Sequence, residues 1–220
     1  MIRAVVFDLW NTLAWWPDEL SRDFRRRWSS RIDKSLEEID RAWYESGAYE
    51  QRETGPIALA IRRVHEKLEV EADLDELVSW RIDLARRAVV PSDAVVGVLA
   101  EIRERGLRLG LVSNCTEDVA LVWGESPFHG LFDVEVFSAT AGCMKPDRRI
   151  YELVLAGLGV DARDCLFVGD GANDELEGAR RVGMTPVLFQ PEDAEAHSPE
   201  LGGWKGLRIT SIPQVLEFVG

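Results

Sequence analysis

With 220 residues, the chain has room for one sizeable domain, or one domain carrying a smaller insert. Hydrophobic residues make up 46% and charged residues 30%, with no low-complexity tract, the composition of a compact soluble protein. A formal net charge of -13 speaks against nucleic acid or an anionic membrane as partner, since both need basic patches; an anionic substrate stays open, because a metal ion and one lysine reverse the sign locally.

No apolar run approaches the roughly 20 residues of a membrane span. The first residues lack the charged-then-apolar layout of a secretion signal, so a cytoplasmic location is expected. Cys115, Cys143 and Cys165 are odd in number and lack metal-type spacing, which points to buried or half-buried thiols rather than a disulfide framework or zinc site. Five of the eight tryptophans lie between Trp15 and Trp80, and they leave monomer and homodimer equally open.

The first element is Ala4 to Phe7. Val5, Val6 and Phe7 are β-favouring and apolar on both faces, as in a central strand of a parallel sheet covered by helices on both sides. It delivers Asp8 into the polar turn around Asn11 and Thr12, at the strand end where open α/β sheets bind ligands. Beyond Leu13 the pattern turns helical. Leu20, Phe24 and Trp28 recur every fourth position, and Ser35 with Glu38 forms a capping box ahead of Leu36, Ile39 and Trp43. Gly55-Pro56 opens a helix bearing Ile57, Ile61, Val64 and Leu68, and Asp73 caps another bearing Leu74, Leu77, Val78, Ile82 and Ala85. Four helices with no strand between them predict a separate unit over residues 14–90, an antiparallel bundle.

From Pro91 helix and strand alternate. Ser92 caps a helix with Val95, Val98, Leu99 and Ile102 that Gly106 ends, and Leu107 to Val112 runs as a strand into Ser113-Asn114. Thr116 caps the next helix, Phe132 to Phe137 is a third strand, and the loop carrying Lys145 leads into a helix with Ile150, Leu153, Val154 and Leu158. Cys165 to Val168 is a fourth strand ending in Gly169-Asp170-Gly171-Ala172-Asn173-Asp174, followed by a helix with Leu176, Ala179 and Val182 on one face. Thr185 to Phe189 is a fifth strand, Gln190 to Gly206 an irregular loop, and Ser211 to Val219 a closing helix. This alternation implies an α/β fold, a doubly wound parallel sheet formed by residues 1–13 and 91–220, with the helical unit inserted after the first strand.

Four strand ends thus present Asp8, Ser113-Asn114, Lys145, and Asp170 with Asp174 along one sheet edge. Together they supply what phosphoryl transfer needs: a carboxylate nucleophile, further carboxylates for a hard divalent cation, a hydroxyl and amides for phosphate oxygens, and a cation to neutralise them.

In this ordered set the sequence resembles the haloacid dehalogenase-like hydrolase superfamily, in the group with a helical cap inserted after the first motif. The motifs are Asp8 to Thr12, Ser113, Lys145 in Lys145-Pro146-Asp147, and Gly169-Asp170 through Asp174. The resemblance implies a Rossmann-like core and, as in most members, a magnesium-dependent phosphatase acting on a small phosphorylated molecule. It implies that Asp8 attacks phosphorus to form an aspartyl phosphate, and that Mg²⁺ is held by Asp8, the Trp10 backbone carbonyl and Asp170, with Asp174 completing or orienting its shell. Ser113, the amide of Asn114 and Thr12 would hold the phosphoryl group, and Lys145 would shield its charge.

The first motif departs from the family pattern. Phosphatases of this superfamily usually carry a second aspartate two residues after the nucleophile, as general acid and base; here that residue is Trp10, whose indole cannot exchange protons at neutral pH. Asn11 replaces the family's usual glycine, a milder change because Asn tolerates left-handed angles. The 2-haloacid dehalogenases also lack the second aspartate, need no metal and no proton for a halide, and make carbon attack by Asp8 the rival reading. Asp170 opposes it, since dehalogenases usually have a non-acidic residue there. A nearly inactive, metal-binding member acting as a binding module is a further alternative.

A cap side chain can supply the missing proton, and His65 is a candidate by residue type, although a solvent-facing helix position is the plainer expectation. Trp15 and Trp16 are expected to pack the exit toward the cap, and Arg25, Arg26 and Arg27 to form a solvated helix face. His129 and His197 lie in loops without ligand spacing.

Overall fold

The computed structural model describes residues 1–45, 48–192 and 203–220; His197 lies outside them. Its strands are β1 (Ala4–Phe7), β2 (Arg108–Ser113), β3 (Val134–Phe137), β4 (Cys165–Gly169), β5 (Thr185–Phe189) and β6 (Leu207–Ile209). They form one sheet in the order β3-β2-β1-β4-β5-β6, every neighbouring pair parallel. The order runs outward from β1 in both directions, so the first strand of the chain is central and its ligand edge is flanked by β2 and β4.

The reason β1 is central is chemical. All four of its residues are fully buried, and alternation sends Val5 and Phe7 into one apolar layer and Ala4 and Val6 into the other. The first layer is filled by α6 (Asp93–Glu104), through Val95, Val98, Leu99 and Ile102, and by a closing 3₁₀ segment, Ile212–Glu217. The second is filled by α9 (Arg148–Leu158) and α10 (Glu175–Val182), through Ile150, Val154, Leu176 and Ala179. Burying a side chain of this size contributes about 1.5–3 kcal/mol, so the two layers fix the sheet as a doubly wound α/β core.

Between β1 and α6 the described residues contain five helices rather than four: α1 (Asp18–Ile32), α2 (Leu36–Tyr44), α3 (Ala48–Glu53), α4 (Ile57–Leu68) and α5 (Leu74–Ala88). Phe24, Trp28, Ile39, Ile57, Ile61, Leu77 and Leu84 build a third apolar cluster that belongs to this block. The Ser35/Glu38 capping box forms, and Asp73 caps α5 through the amides of Asp75 and Glu76. The extra helix, α3, is too short and polar to show a stripe.

Three further boundaries differ from the sequence expectation. β3 starts at Val134 because Phe132 turns into the core and the Asp133 carboxylate accepts from the Leu109 amide at 2.7 Å, ending the ladder there. β6 is an added strand of only three residues, below the length at which alternation reads as a strand, and most of the loop expected over Gln190 to Gly206 lies outside the described residues. The closing element is 3₁₀, headed by Ser211 and Gln214 in a capping box with Pro213 in its first turn. Thr116 stands at the N-cap of α7 (Glu117–Val122), but it makes no side-chain cap; its hydroxyl accepts instead from Arg81 Nη2 at 3.0 Å. No described helix is long and apolar enough to cross a membrane.

Candidate active site

Asp8 is the first residue past β1, and its backbone amide still bonds Val168 of β4 at 2.8 Å. The chain then closes a tight turn in which the amides of Leu13 and Ala14 bond the Leu9 carbonyl at 2.8 and 2.9 Å, and the Asn11 amide bonds the Ala14 carbonyl. Asn11 takes φ 57°, the left-handed region Asn tolerates. Thr12 is fully buried beneath this turn, and its hydroxyl reaches Asp8 Oδ2 at 3.2 Å. Thr12 therefore orients the Asp8 carboxylate. The turn's own hydrogen bonds leave the Trp10 carbonyl unused.

Lys145 bridges two carboxylates. Its Nζ donates to Asp8 Oδ1 and, at 2.6 Å, to Glu175 Oε2, with all three side chains at most 7% exposed. Asn114, the residue after β2, fixes the lysine's backbone: its Nδ2 donates to the Lys145 carbonyl at 3.0 Å, and its Oδ1 accepts from the Lys145 amide at 2.8 Å. Asp170 closes the ring, accepting from Asn11 Nδ2 at 3.0 Å and from the Ala172 amide at 2.9 Å.

Asp8, Asp170 and Glu175 are buried, and each offers an oxygen within 4.8 Å of the others. Burial pushes the Asp8 carboxyl above its ordinary range, with Lys145 opposing and Asp170 adding to the rise. Glu175 is raised further by the same burial, again against Lys145. Burial acts to lower Lys145, but the charges of Asp8 and Glu175 outweigh it and hold the ammonium protonated beyond the ordinary lysine range. Among the described residues, three buried carboxyls share this site with one ammonium, and the rise of Asp8 and Glu175 reflects how poorly the site supports their negative charge. Hard oxygen donors clustered at this density fit a divalent cation.

Glu175 escapes the sequence reading, which names Asp174. Asn173 and Asp174 both adopt positive φ, so the chain turns before α10 begins, and Glu175 rather than Asp174 heads its inner face. Asp174 is exposed and lies outside the cluster. Glu175 folds back over Gly169, where an added Cβ would sit 2.1 Å from Glu175 Oε1, so only glycine admits it. The signal was present: Glu175 stands one turn before Ala179 on the stripe of Leu176, Ala179 and Val182. Ser113 stands at the same edge but is fully buried, its hydroxyl 3.5 Å from the Asn114 carbonyl.

A cavity of about 480 Å³ opens above the cluster, lined from the core by Asp8, Asn114, Lys145, Asp170 and Glu175, and from the helical block by Phe24, Trp43, Tyr49, Glu53 and Arg81. Trp10 lines it too, stacked on Trp16 with ring centroids 4.4 Å apart. Trp15 stays outside, 48% exposed, with its ring edge-on to Phe189. Arg26 and Arg27 are solvated as expected, while Arg25 pairs with Asp40 at 3.0 Å on the cavity wall. His65 is not solvent-facing. It is 5% exposed on the inner stripe of α4 and accepts from Trp28 Nε1 at 3.1 Å, away from the cavity lining. His129 is exposed, and the three cysteines are free and buried.

A family model for haloacid dehalogenase-like hydrolases matches residues 2–183. The chain belongs to the haloacid dehalogenase-like hydrolases. This hydrolase is 35% identical over 198 residues to phosphatase MT3486 of Mycobacterium tuberculosis (strain CDC 1551 / Oshkosh), a span of 85% of this chain and 87% of that protein. It is also 30% identical over 147 residues to the (S)-2-haloacid dehalogenase of Pseudomonas sp. (strain YL), covering 66% of this chain and 62% of the relative. The structure of the L-2-haloacid dehalogenase from Xanthobacter autotrophicus superposes with a TM-score of 0.72 at 20% identity, covering 100% of this chain and 98% of that one. At that identity the likeness shows a shared fold, and the relatives of this hydrolase divide between two chemistries.

Proposed function

We propose that this hydrolase is a magnesium-dependent phosphatase acting on small-molecule phosphate esters or anhydrides, with Asp8 as nucleophile. The observation that carries the reading is the buried cluster itself, the carboxyls of Asp8, Asp170 and Glu175 offering oxygens within 4.8 Å of one another beside Lys145. Attack on carbon asks for one carboxylate and no cation, whereas three buried carboxyls this close together repel one another and favour a divalent ion among them. Asp8, Asp170 and Glu175 would hold Mg²⁺, together with the Trp10 carbonyl, and bound Mg²⁺ supplies Lewis-acid neutralisation of phosphoryl charge.

Asp8 Oδ attacks phosphorus, the ester oxygen departs, and water hydrolyses the aspartyl phosphate to return Asp8 and inorganic phosphate. Lys145 draws charge from the phosphoryl oxygens while holding Asp8 in place. Thr12 sets the carboxylate's angle, and Ser113 and Asn114 support the corner where the phosphoryl group sits. The helical block, residues 14–90, is read as a cap domain over the core of residues 1–13 and 91–220, and its wall selects the substrate.

Trp10 favours a second reading, dehalogenation, since a halide departs without a proton. One panel separates them: p-nitrophenyl phosphate, acetyl phosphate, sugar phosphates and 2-chloropropionate, each with Mg²⁺ and with EDTA. Magnesium-dependent phosphate release that Asp8→Asn abolishes is the expected result. Metal-independent halide release overturns the proposal, and a Mg²⁺-induced rise in Tm with no turnover of any substrate turns it toward a binding module.

A further inference from the structure

Esters with poor leaving groups need a proton at the departing oxygen, and Trp10 has none to give. The same cavity is lined, from the helical block, by the buried carboxyl of Glu53. We infer that Glu53, at the C-terminal end of α3, is the general acid and base of this enzyme; the inference rests on the phosphatase reading.

Among carboxyls on the cavity wall outside the buried cluster, Asp18 is exposed and Asp40 is tied through both oxygens to Arg25 Nη1 at 3.0 Å. Glu53 differs from both. It is 7% exposed, its Oε1 accepts from Arg52 Nε at 3.0 Å, and its Oε2 accepts no hydrogen bond from the described residues. Arg52 is itself held among the rings of Trp43, Tyr44 and Tyr49, at 5.0, 5.1 and 4.8 Å, so one oxygen of Glu53 is pinned and the other is free for a ligand.

The placement of α3 sets Glu53 in the wall of the same cavity that Asp8 and Lys145 line. Tyr49 Oη accepts from Asn173 Nδ2 at 3.2 Å, in the loop between Asp170 and Glu175, and the Ile57 amide beyond α3 donates to Glu117 Oε2 at 2.9 Å at the start of α7. Glu53 lies between these two anchors, and α3 also packs against α8 (Ser138–Ala141) of the core. Its charge bears on Cys115, the neighbour of Asn114 on the same cavity wall. Burial raises the Glu53 carboxyl, with Arg52 opposing and Asp118 adding, so it keeps its proton to higher pH than an exposed glutamate.

In the first half-reaction Asp8 forms its bond to phosphorus as the P–O ester bond breaks, and the Glu53 carboxyl passes its proton to the leaving oxygen, giving the alcohol. In the second, the Glu53 carboxylate takes a proton from water as the water oxygen bonds phosphorus and the P–O bond to Asp8 breaks. Phosphate leaves, and Glu53 is again protonated.

The test is Glu53→Gln, compared with wild type on an alkyl phosphate and on p-nitrophenyl phosphate with Mg²⁺, with Tm recorded to confirm the fold. The expected result is a fall in kcat of about 10²–10⁴-fold on the alkyl phosphate. With p-nitrophenyl phosphate, whose leaving group needs no proton, a burst of one equivalent of p-nitrophenol followed by slow turnover is expected, with phosphoenzyme accumulating. Glu53→Asp, which keeps an acid, should recover part of the alkyl-phosphate rate. Equal rates for Glu53→Gln and wild type, or an equal loss on both substrates with no burst, overturn the inference while the phosphatase reading stands. No phosphate release by wild type overturns that reading, and the inference with it.

Discussion

Lys145 holds two carboxylates on one ammonium, and whatever fixes its backbone fixes the nucleophile. Asn114 does this through two hydrogen bonds, one to the Lys145 carbonyl and one from its amide. Asn114→Ala removes both, so a stability loss of about 1–3 kcal/mol is expected, together with a fall in kcat of about 10²-fold if the lysine shifts by an ångström. Thermal melts and initial rates check this; an unchanged kcat contradicts a positioning role. The residue scale is also where the sequence misled. His65 falls on the apolar stripe of Ile57, Ile61 and Val64, so its place was legible from spacing, yet its polar side chain suggested solvent. Asp174 and Glu175 differ by one position, and only the pair of left-handed residues before α10 decides which of them turns inward.

At the level of elements, two buried polar contacts hold the helical block in shape. Within it, Trp28 of α1 donates to His65 of α4, which requires the Nε2 atom unprotonated. Burial holds the imidazole below its ordinary value of 6.5, so the unfolded chain takes the proton more readily. Stability is therefore expected to fall as pH drops below about 6.5, and His65→Gln, which still accepts but does not titrate, should flatten that part of the curve. Tm measured from pH 7.5 to 5 reads the difference; identical slopes contradict the assignment. Between block and core, Arg81 of α5 pairs with Asp118 of α7 at 2.9 Å, the two side chains 10% and 0% exposed. Arg81→Met leaves Asp118 buried and unpaired, a loss of about 3–5 kcal/mol, whereas Arg81→Met with Asp118→Leu should recover much of it. Denaturant melts of both variants test this, and a double variant no more stable than the single one contradicts the pairing.

For the whole molecule, what was legible followed from burial. β1, β2 and β4 are apolar on both faces, and their order along the chain with intervening helices gave the parallel sheet and the shared edge of Asp8, Asn114, Lys145 and Asp170. Elements too short to carry a period, α3 and β6, were not legible. That omission matters for function, since α3 carries the cavity-facing Tyr49 and Glu53. The central claim is that Asp8 becomes phosphorylated, and the most direct measurement is mass spectrometry of peptides from enzyme quenched in acid during turnover of acetyl phosphate with Mg²⁺. The predicted result is one phosphoryl group on the peptide containing Asp8, lost with EDTA and in Asp8→Asn. Phosphate release with an unmodified Asp8 peptide, or a metal-independent ester of Asp8 formed from 2-chloropropionate, would contradict it.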